Sequence, residues 1–420
     1  MTDIISDAEQ AGFASDLTQS TTLGESARAY VQRVRGGDMG ALPSILGLLV
    51  LFIVFWIAND KFLSYLNMAN LITQAGPIII LAMALVPVLL LGEIDLSAGV
   101  AGGVAACVMG VLIVKHDQPW GVAVLAALLV GAVIGLVIGV LVAKLGIPSF
   151  VVTLAFFLGL QGVTLKLIGE GGSVRVNQEV IYGIANKNVD PTWGWIAAVV
   201  IIAAYAVVSL FRHRRKIEHE LQHQPLAVVV AQIAVLAVVL LGITFVLNQN
   251  RSRNPNFPIE GIPWVLPIIA ALLIGWTFLL GRTTWGRHVY AVGGNAEAAR
   301  RAGIAVDRIR ISVFMMCSTM AALSLIVQAS VSGKVSTSSG GSNTLLYAVG
   351  AAVIGGTSLF GGKGKARDAV IGGLVIATIA NGLGLLSQAS WINFVVTGSV
   401  LLLAASVDAV SRRRRSATGL

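Results

Sequence analysis

Long runs of apolar residues, each followed by a short polar stretch, succeed one another through most of the chain. A helix that crosses the hydrocarbon core of a bilayer needs about 20 predominantly apolar residues. Twelve runs come near that length, and each predicts one membrane-spanning helix. They are residues 42–59, 75–92, 96–114, 121–143, 149–168, 193–211, 226–247, 264–281, 311–331, 345–361, 369–387 and 391–410.

The composition agrees with this pattern. The 420 residues are 56% hydrophobic and only 12% charged, whereas soluble domains have about 25% charged residues. Because lipid offers no partner to a free backbone N–H or C=O group, the spans must be helices. The sequence therefore predicts an all-α, polytopic membrane protein of about 12 spans, within a range of 10 to 12. The run 345–361 is short and rich in glycine, so we expect a broken or re-entrant helix there.

A weak internal similarity links two parts of the chain. LGEIDLSAG at 91–99 aligns with IGGTSLFGG at 354–362 through two shared glycines and a shared leucine. Many transporters consist of repeated halves. The similarity favours two loosely repeated halves in this chain.

The basic residues predict the orientation in the membrane. The net charge of +9 would make a soluble protein a candidate for nucleic-acid binding. Here, however, most cations stand in short clusters between apolar runs. With the N-terminus inside, 21 of the 29 Lys and Arg residues fall in inner segments. The distribution favours cytoplasmic termini at both ends and no nucleic-acid partner.

Three regions differ in character. Residues 1–41 predict a polar cytoplasmic tail, with a short amphipathic helix at 26–35 on the membrane surface. Residues 42–410 predict the transmembrane domain. Residues 411–420 predict a basic cytoplasmic tail.

Two carboxylates, Glu93 and Asp95, interrupt the apolar sequence LLLGEIDLSAG at 89–99. A charge at the centre of a spanning helix costs about 2.5–3.5 kcal/mol on insertion scales. Gly92 and Gly99 favour a break in the helix instead, with Asp95 at the N-cap of the next helix, where it accepts from free N–H groups. A proton or ion site, or a contact of the transport machinery, is the alternative.

The hydrophilic stretch GRHVYAVGGNAEAARRAGI at 286–304 predicts a short helix between spans. The signals, in chain order, are a cap at Asn295, an acid at Glu297, cations at Arg300 and Arg301, and a left-handed end at Gly303. One interpretation is a solvated loop helix without a partner. The other is a docking helix that presents small alanines and two arginines to a soluble protein.

Residue patterns typical of catalysis or metal binding are absent from the sequence. Cys107 and Cys317 lie inside apolar runs and form no CxxC motif. The histidines have no carboxylates at the spacing of a strong metal site, and no nucleophile stands near a base. The sequence therefore predicts neither an enzyme nor a metalloprotein.

EIDLSAG, GRHVYAVGGNAEAARRAGI and AVIGGTSLFGG, in this order and spacing, resemble the bacterial monosaccharide ABC transporter permeases, which include ribose, galactose and xylose permeases. The resemblance covers about residues 42–410. The acid in GEIDLS and the basic loop FRHRRKIEHELQHQP with the span after it are similar to the D-xylose type. The resemblance to the permease family in the first and third motifs rests on Glu93, Asp95, Ser97, Gly99, Gly355, Gly356, Ser358 and Gly361.

The resemblance implies a non-catalytic permease subunit that imports a monosaccharide, D-xylose or a related pentose. It implies a homodimer in the bacterial inner membrane, a cytoplasmic ATPase that binds the ATP, and a periplasmic binding protein that delivers the sugar. This chain would then hold no cofactor. Residues matching the segment that couples to the ATPase are Gly294, Asn295, Glu297, Ala298, Ala299, Arg300, Arg301 and Gly303.

A sugar path needs scattered hydroxyl, amide and aromatic groups. The candidates in or near the spans are Gln74, Gln161, Asn381 and Trp391, although a helix-packing contact is the preferred interpretation of each. The competing function is a proton-coupled secondary transporter that uses Glu93 or Asp95.

Overall fold

The computed structural model describes residues 42–219, 224–252, 254, 256–386, 391–392 and 394–400, together with 24, 402 and 406. The helices are α1 (Leu42–Ala58), α2 (Tyr65–Leu90), α3 (Ala98–Lys115), α4 (Trp120–Ala143), α5 (Ser149–Ile168), α6 (Glu179–Asn186), α7 (Pro191–Glu218), α8 (Leu226–Leu247), α9 (Val265–Arg282), α10 (Thr284–Gly294), α11 (Ala296–Arg301), α12 (Val306–Ser332), α13 (Ser342–Gly355) and α14 (Ala366–Leu385). The strands are β1 (Ser173–Arg175), β2 (Asn188–Val189), β3 (Ile262–Pro263) and β4 (Lys334–Ser336). Residues 391–392 and 394–400 are also helical. The amphipathic helix expected at 26–35 and the tail expected at 411–420 lie outside the described residues.

The prediction of an all-α, polytopic membrane protein is confirmed. Among the described helices, nine are long and apolar enough to cross a membrane: α2 to α5, α7 to α9, α12 and α14. Two more, α1 and α13, are apolar but shorter. The strands form two antiparallel ladders that were not expected, one joining β1 to β4 and the other β2 to β3.

Three helices extend well beyond the expected spans. α7 runs to Glu218 rather than to 211. In the other two, contacts satisfy polar residues near the start. α2 begins at Tyr65 rather than at 75, after Ser64 accepts a hydrogen bond from the N–H of Asn67. The Asn67 side chain donates to the Asn381 amide oxygen in α14 at 2.8 Å. α12 begins at Val306 rather than at 311, so its first turns include Arg310. Hydropathy alone does not include such residues in a span.

The bundle has two ends, named here by what lies there. At the junction end, α2 stops at Leu90 and α13 stops at Gly355. At the ladder end lie β1 to β4 and α6. The helix α5 runs from the junction end, where Ser149 accepts a hydrogen bond from Ile94 N–H, to β1 at the ladder end.

The core of the bundle lies around α2, which is buried over most of its length, and α12, which packs on it. A row of glycines on α4 lets α12 approach closely. A Cβ on Gly131 would lie 2.7 Å from the Ser318 carbonyl oxygen, and a Cβ on Gly135 would lie 2.3 Å from that of Phe314. This spacing of four residues puts small residues on one face of α4.

The α7–α8 hairpin lies at the edge of the bundle. α7 buries only Gly194 and Ala198, and α8 buries only three residues, near its two ends. Large apolar side chains such as Val207 and Val238 are exposed along it. The hairpin therefore contributes little to the core of the bundle.

The helix α13 is short and is reached by a non-helical stretch. Its 14 residues correspond to about 21 Å at 1.5 Å per residue, less than the roughly 30 Å of a hydrocarbon core. The stretch 337–341 before it lies against α3. A Cβ on Gly103 would lie 2.1 Å from the Ser339 carbonyl oxygen, so α3 needs glycine there.

Candidate functional site

The first junction, residues 91–97, connects α2 to α3 and contains the two acids Glu93 and Asp95. Asp95 is 1% exposed. Its Oδ1 atom accepts hydrogen bonds from the N–H of Ser97 at 2.9 Å and from the Ser97 hydroxyl at 2.6 Å. The thiol of Cys317 on α12 also faces this carboxylate. The junction is therefore held from within by one buried carboxylate.

The expected N-cap role of Asp95 is corrected by this geometry. The residue before the first turn of α3 is Ser97, not Asp95. The carboxylate instead folds back on the N–H two residues ahead, as Asp side chains do in turns. Burial raises the pKa of Asp95 above its ordinary value of 3.8, while the Ser97 hydrogen bonds act in the opposite direction.

Glu93 points away from Asp95 and pairs with a different helix. Its Oε1 atom lies 3.2 Å from Nε of Arg310, in the first turns of α12. The backbone N–H of Glu93 donates to the carbonyl of Val88, so the residue stays attached to the end of α2. The two acids of the motif thus have different partners and do not form a carboxylate pair.

The second junction, residues 356–365, connects α13 to α14 and is shaped by backbone conformation. Gly356 ends α13 at a φ of +117°, and Gly361 has a φ of +86°. Ser358 N–H donates to the carbonyl of Lys363 at 2.8 Å, which closes the turn. A Cβ on Gly355 would lie 1.8 Å from the Asp368 carbonyl oxygen.

The two junctions touch each other, and α10 covers the contact. Gly362 N–H donates to the carbonyl oxygen of Leu90 at 2.8 Å. A Cβ on Gly293 of α10 would lie 1.8 Å from the same oxygen and 3.1 Å from Gly362 N. The third family motif and the first are therefore neighbours in space. Gly99 lies farther along α3, where a Cβ would lie 2.5 Å from the Gly340 carbonyl oxygen.

The short helix α11 has the form that the sequence predicted. Asn295 caps it by accepting from the N–H of Ala298 at 2.9 Å. Gly303 ends it at a φ of +84°. Glu297 lies 3.3 Å from Arg300 and 3.2 Å from Arg301. The local prediction of a helix is confirmed.

The exposed surface of α11 differs in one respect from the expectation. Ala298 is exposed, but Ala299 is buried and belongs to the main core. Gly294 stands at the end of α10 with open space around its Cα. Because the helix is anchored through Ala299, it presents Glu297, Ala298 and the two arginines outward.

A polar cavity of about 400 Å³ lies between α3, α5 and the stretch before α13. It is within the range of about 300–1,000 Å³ usual for ligand pockets. Hydroxyl and amide side chains form most of its wall, and none of the described residues that line it is charged. They are Val100, Gln161, Thr164, Thr337, Ser338, Ser339, Gly341, Asn343 and Thr344.

The four candidate path residues are not brought together. Gln161 lines the cavity. Gln74 and Asn381 belong instead to an amide cluster with Asn67 between α2 and α14, where Asn381 donates to Asn67 at 3.0 Å and reaches Gln74 at 3.5 Å. Trp391 is 66% exposed. The amide cluster fits the packing interpretation, and Gln161 alone shares a wall with other polar groups.

Sequence reasoning missed most of this cavity. The stretch TSSGGSNT at 337–344 supplies most of the wall but follows a span and has the composition of a loop. Its run of hydroxyl and amide residues next to a glycine-rich apolar segment was the available signal. The Glu93–Arg310 pair had no such signal, because it depends on the packing of distant segments.

Comparison with known proteins decides the family. The model for the permease component of branched-chain amino acid transport systems matches residues 67–405. The chain belongs to this permease family. It is thus the transmembrane, non-catalytic subunit of an ABC transporter, a transporter type that also has an ATPase and a binding protein. Membership excludes the alternative of a proton-driven secondary transporter.

Individual relatives of the permease cover nearly its whole length. The xylose transport system permease protein XylH of Escherichia coli (strain K12) is 32% identical over 373 residues, 89% of this chain and 92% of that protein. The ribose import permease protein RbsC of the same strain is 31% identical over 370 residues, 87% and 92% of the two chains. The ribose import permease protein RbsC of Bacillus subtilis (strain 168) is 30% identical over 381 residues, which are 91% of this chain and 95% of that protein. No solved structure gave a significant match.

Proposed function

We propose that the permease imports a monosaccharide, D-xylose or a related pentose, delivered by a periplasmic binding protein. The observation that carries the proposal is the uncharged cavity lined by hydroxyl and amide groups between α3, α5 and the stretch 337–344. Such groups match the hydroxyls of a sugar. The permease relatives named for xylose and ribose support the same class of substrate.

A branched-chain amino acid is the second candidate, because the family model is named for such transport systems. A zwitterion needs charged or strongly dipolar partners for both its ammonium and its carboxylate. An aliphatic side chain needs an apolar wall. The described lining of the cavity has no charged residue, and Val100 is its one aliphatic side chain. The chemistry of the cavity therefore favours the sugar.

Uptake measurements test the choice. Cells that contain the permease, its ATPase and its binding protein are given labelled xylose, ribose or leucine. We expect accumulation of the pentose, and Gln161→Ala and Asn343→Ala to reduce its rate without lowering the amount of permease in the membrane. Gln232→Ala, at an exposed glutamine of α8, is the matched control. Accumulation of leucine alone would refute the sugar assignment.

The permease is proposed to dock on its ATPase through α11, at the junction end. The exposed Glu297, Ala298, Arg300 and Arg301 form a small charged surface on a helix anchored by Ala299. Exchange of charge with Glu297→Arg and Arg300→Glu reverses this surface. We expect lower copurification of the ATPase and lower uptake, with unchanged insertion. Unchanged uptake would contradict the docking role.

The junction end is proposed to face the cytoplasm, together with the tails 1–41 and 411–420. Most of the basic residues fall in segments on that side of the sequence-based topology. Both native cysteines are buried, so their background labelling is low. In intact cells, a membrane-impermeant maleimide is expected to label Ser332→Cys at the ladder end and to spare Ala298→Cys. The reverse pattern would overturn the orientation.

The finer architecture is also a proposal. Twelve transmembrane segments are supported by the helices of the described residues. These are the nine long helices, α1, α13 and the helical residues around 391–400. The short α13 after its non-helical approach supports a broken helix rather than a re-entrant one, because the segment runs from β4 at the ladder end to Gly355 at the junction end. Two helix breaks in contact, at Leu90 and Gly362, support two loosely repeated halves. Two such permeases are proposed to form the pathway as a homodimer.

A further inference from the structure

The first junction and the ATPase-facing helix are connected through the start of α12. The connection from α11 to α12 is short and closed by backbone hydrogen bonds, including Gly303 N–H to Arg300 and Ile304 N–H to Ala299, both at 3.0 Å. Arg300 also lies 3.8 Å from Asp307 in the first turn of α12. A displacement of α11 therefore displaces the first turn of α12.

One turn farther along, Arg310 faces the first junction. Residues three apart on a helix lie on the same side, so Asp307 and Arg310 extend one charged strip along α12. Arg310 meets Glu93 at 3.2 Å. The strip runs from Arg300 of α11, through Asp307 and Arg310, to Glu93.

The exposed fraction of the side chains differs sharply along this strip, and it decides which ion pair contributes more free energy. The side chains of Arg300 and Asp307 are 56% and 52% exposed, whereas those of Arg310 and Glu93 are 27% and 15% exposed. Exposed pairs contribute only about 0–1 kcal/mol. The Glu93–Arg310 pair is partly buried, so loss of one partner leaves a charge that water screens less, and the effect is larger. The Glu93–Arg310 pair is thus the specific link.

We propose that Arg310 is a positioning residue, which holds the first junction to α12 through Glu93 so that displacement of α11 by the ATPase moves the break between α2 and α3. The inference rests on the proposed docking of α11. It gives Glu93 a mechanical role that needs no proton transfer. The junction at 91–97 then follows α12, and the second junction follows through the Leu90–Gly362 hydrogen bond.

The test uses the permease assembled with its ATPase and binding protein in liposomes. The variants are Glu93→Arg, Arg310→Glu and the double exchange of both. We expect each single variant to lower xylose uptake per ATP hydrolysed by about tenfold, a change that corresponds to about 1.4 kcal/mol. The double exchange is expected to return the ratio to within about twofold of the wild type, on the same scale.

The control is Arg308→Glu, which makes the same change of charge in the same turn of α12, where Arg308 is exposed and pairs with no described acid. It is expected to leave the ratio unchanged. Equal losses in Arg308→Glu and Arg310→Glu, or a double exchange no better than the single variants, would overturn the role of Arg310. A purely local folding role would lower the amount of assembled permease and leave the uptake per ATP hydrolysed unchanged.

Failure of the underlying function has a different signature. The ATPase copurifies with all of these variants if α11 docks it, because none of the substitutions lies on α11. A wild-type permease that does not retain the ATPase would refute the docking proposal itself. Retained ATPase and unchanged uptake per ATP in both single variants would refute only the link through Arg310.

Discussion

The two junctions interrupt helices in similar sequence contexts, yet they are held in different ways. In the first, side chains hold the chain: Asp95 binds Ser97, and Glu93 pairs with Arg310. In the second, the backbone holds it through Gly356 and Gly361 with positive φ angles and through a turn-closing hydrogen bond. Contacts made by charges can be exchanged by substitution, whereas backbone conformations of glycine cannot.

This difference indicates different roles for the two junctions. The side-chain junction is connected through Arg310 to α12, and so to α11, the proposed docking helix. The glycine junction supplies a fixed shape against which the first junction lies. Substitutions at matched positions separate these roles.

The largest effect is expected where both junctions meet. Gly293→Ala places a methyl group 1.8 Å from the Leu90 carbonyl oxygen, which is backbone and cannot rotate away. Overpacking typically costs about 1–3 kcal/mol, and a backbone obstacle puts this site at the upper end. The thermal unfolding temperature in detergent should fall clearly. Gly294→Ala, with nothing within 4 Å, is the adjacent control and should not change it.

Glycine conformation should matter more in the second junction than in the first. Gly356 has a φ of +117°, farther from the left-handed helical minimum near +57° than Gly92, which has a φ of +74°. A non-glycine residue in the left-handed region costs about 1–2 kcal/mol. Gly356→Ala should therefore lower the unfolding temperature more than Gly92→Ala does. Equal shifts would show that the two breaks depend equally on glycine.

Matched serines compare the two junctions directly. The Ser97 hydroxyl donates to the Asp95 carboxylate at 2.6 Å, and the Ser358 hydroxyl accepts from Phe360 N–H at 3.2 Å. Hydrogen bonds to charged groups contribute about 1.5–3 kcal/mol and neutral ones about 0.5–1.5 kcal/mol. Ser97→Ala should destabilise more than Ser358→Ala in SDS titrations of unfolding. The opposite order would show that the Asp95–Ser97 contact is the weaker of the two.

The smallest effect concerns the charge of Asp95. Its pKa is raised in the folded protein, so the folded state binds the proton more tightly than the unfolded state, and stability falls as pH rises above the ordinary 3.8. Asp95→Asn keeps an acceptor for Ser97 without this penalty. The variant should unfold at a slightly higher temperature at neutral pH, and the gap should narrow on acidification. If the difference in unfolding temperature between Asp95→Asn and the wild type widened on acidification, the ionised carboxylate would stabilise the fold, contrary to this prediction.

The sequence was most informative where lipid imposes the requirement. Residues 149–168 and 226–247 were predicted as spans with the bounds that α5 and α8 have, because an apolar run in a bilayer has no other regular structure available. The break near Glu93 was also predictable, because glycines and carboxylates disfavour a continuous spanning helix. Asn295, Glu297 and Gly303 predicted α11 from local capping alone.

What the sequence did not predict depends on contacts between distant segments. The start of α2 includes Asn67, whose buried side chain donates to Asn381 of α14 and to the Phe62 carbonyl. Ser97, rather than Asp95, precedes α3, because Asp95 is needed inside the junction. The cavity wall at 337–344 had loop composition, and only its position beside the glycines of α3 turns it into a pocket.

The glycine row of α4 has a consequence for how any transport movement is distributed. With carbonyl oxygens of α12 this close to Gly131 and Gly135, neither helix can slide or rotate against the other without a collision. The helices α4 and α12 must therefore move together as one rigid body. Changes of shape are thereby restricted to surfaces without such interlocking, such as that of α5, where a Cβ on Gly159 or Gly162 would meet nothing within 4 Å.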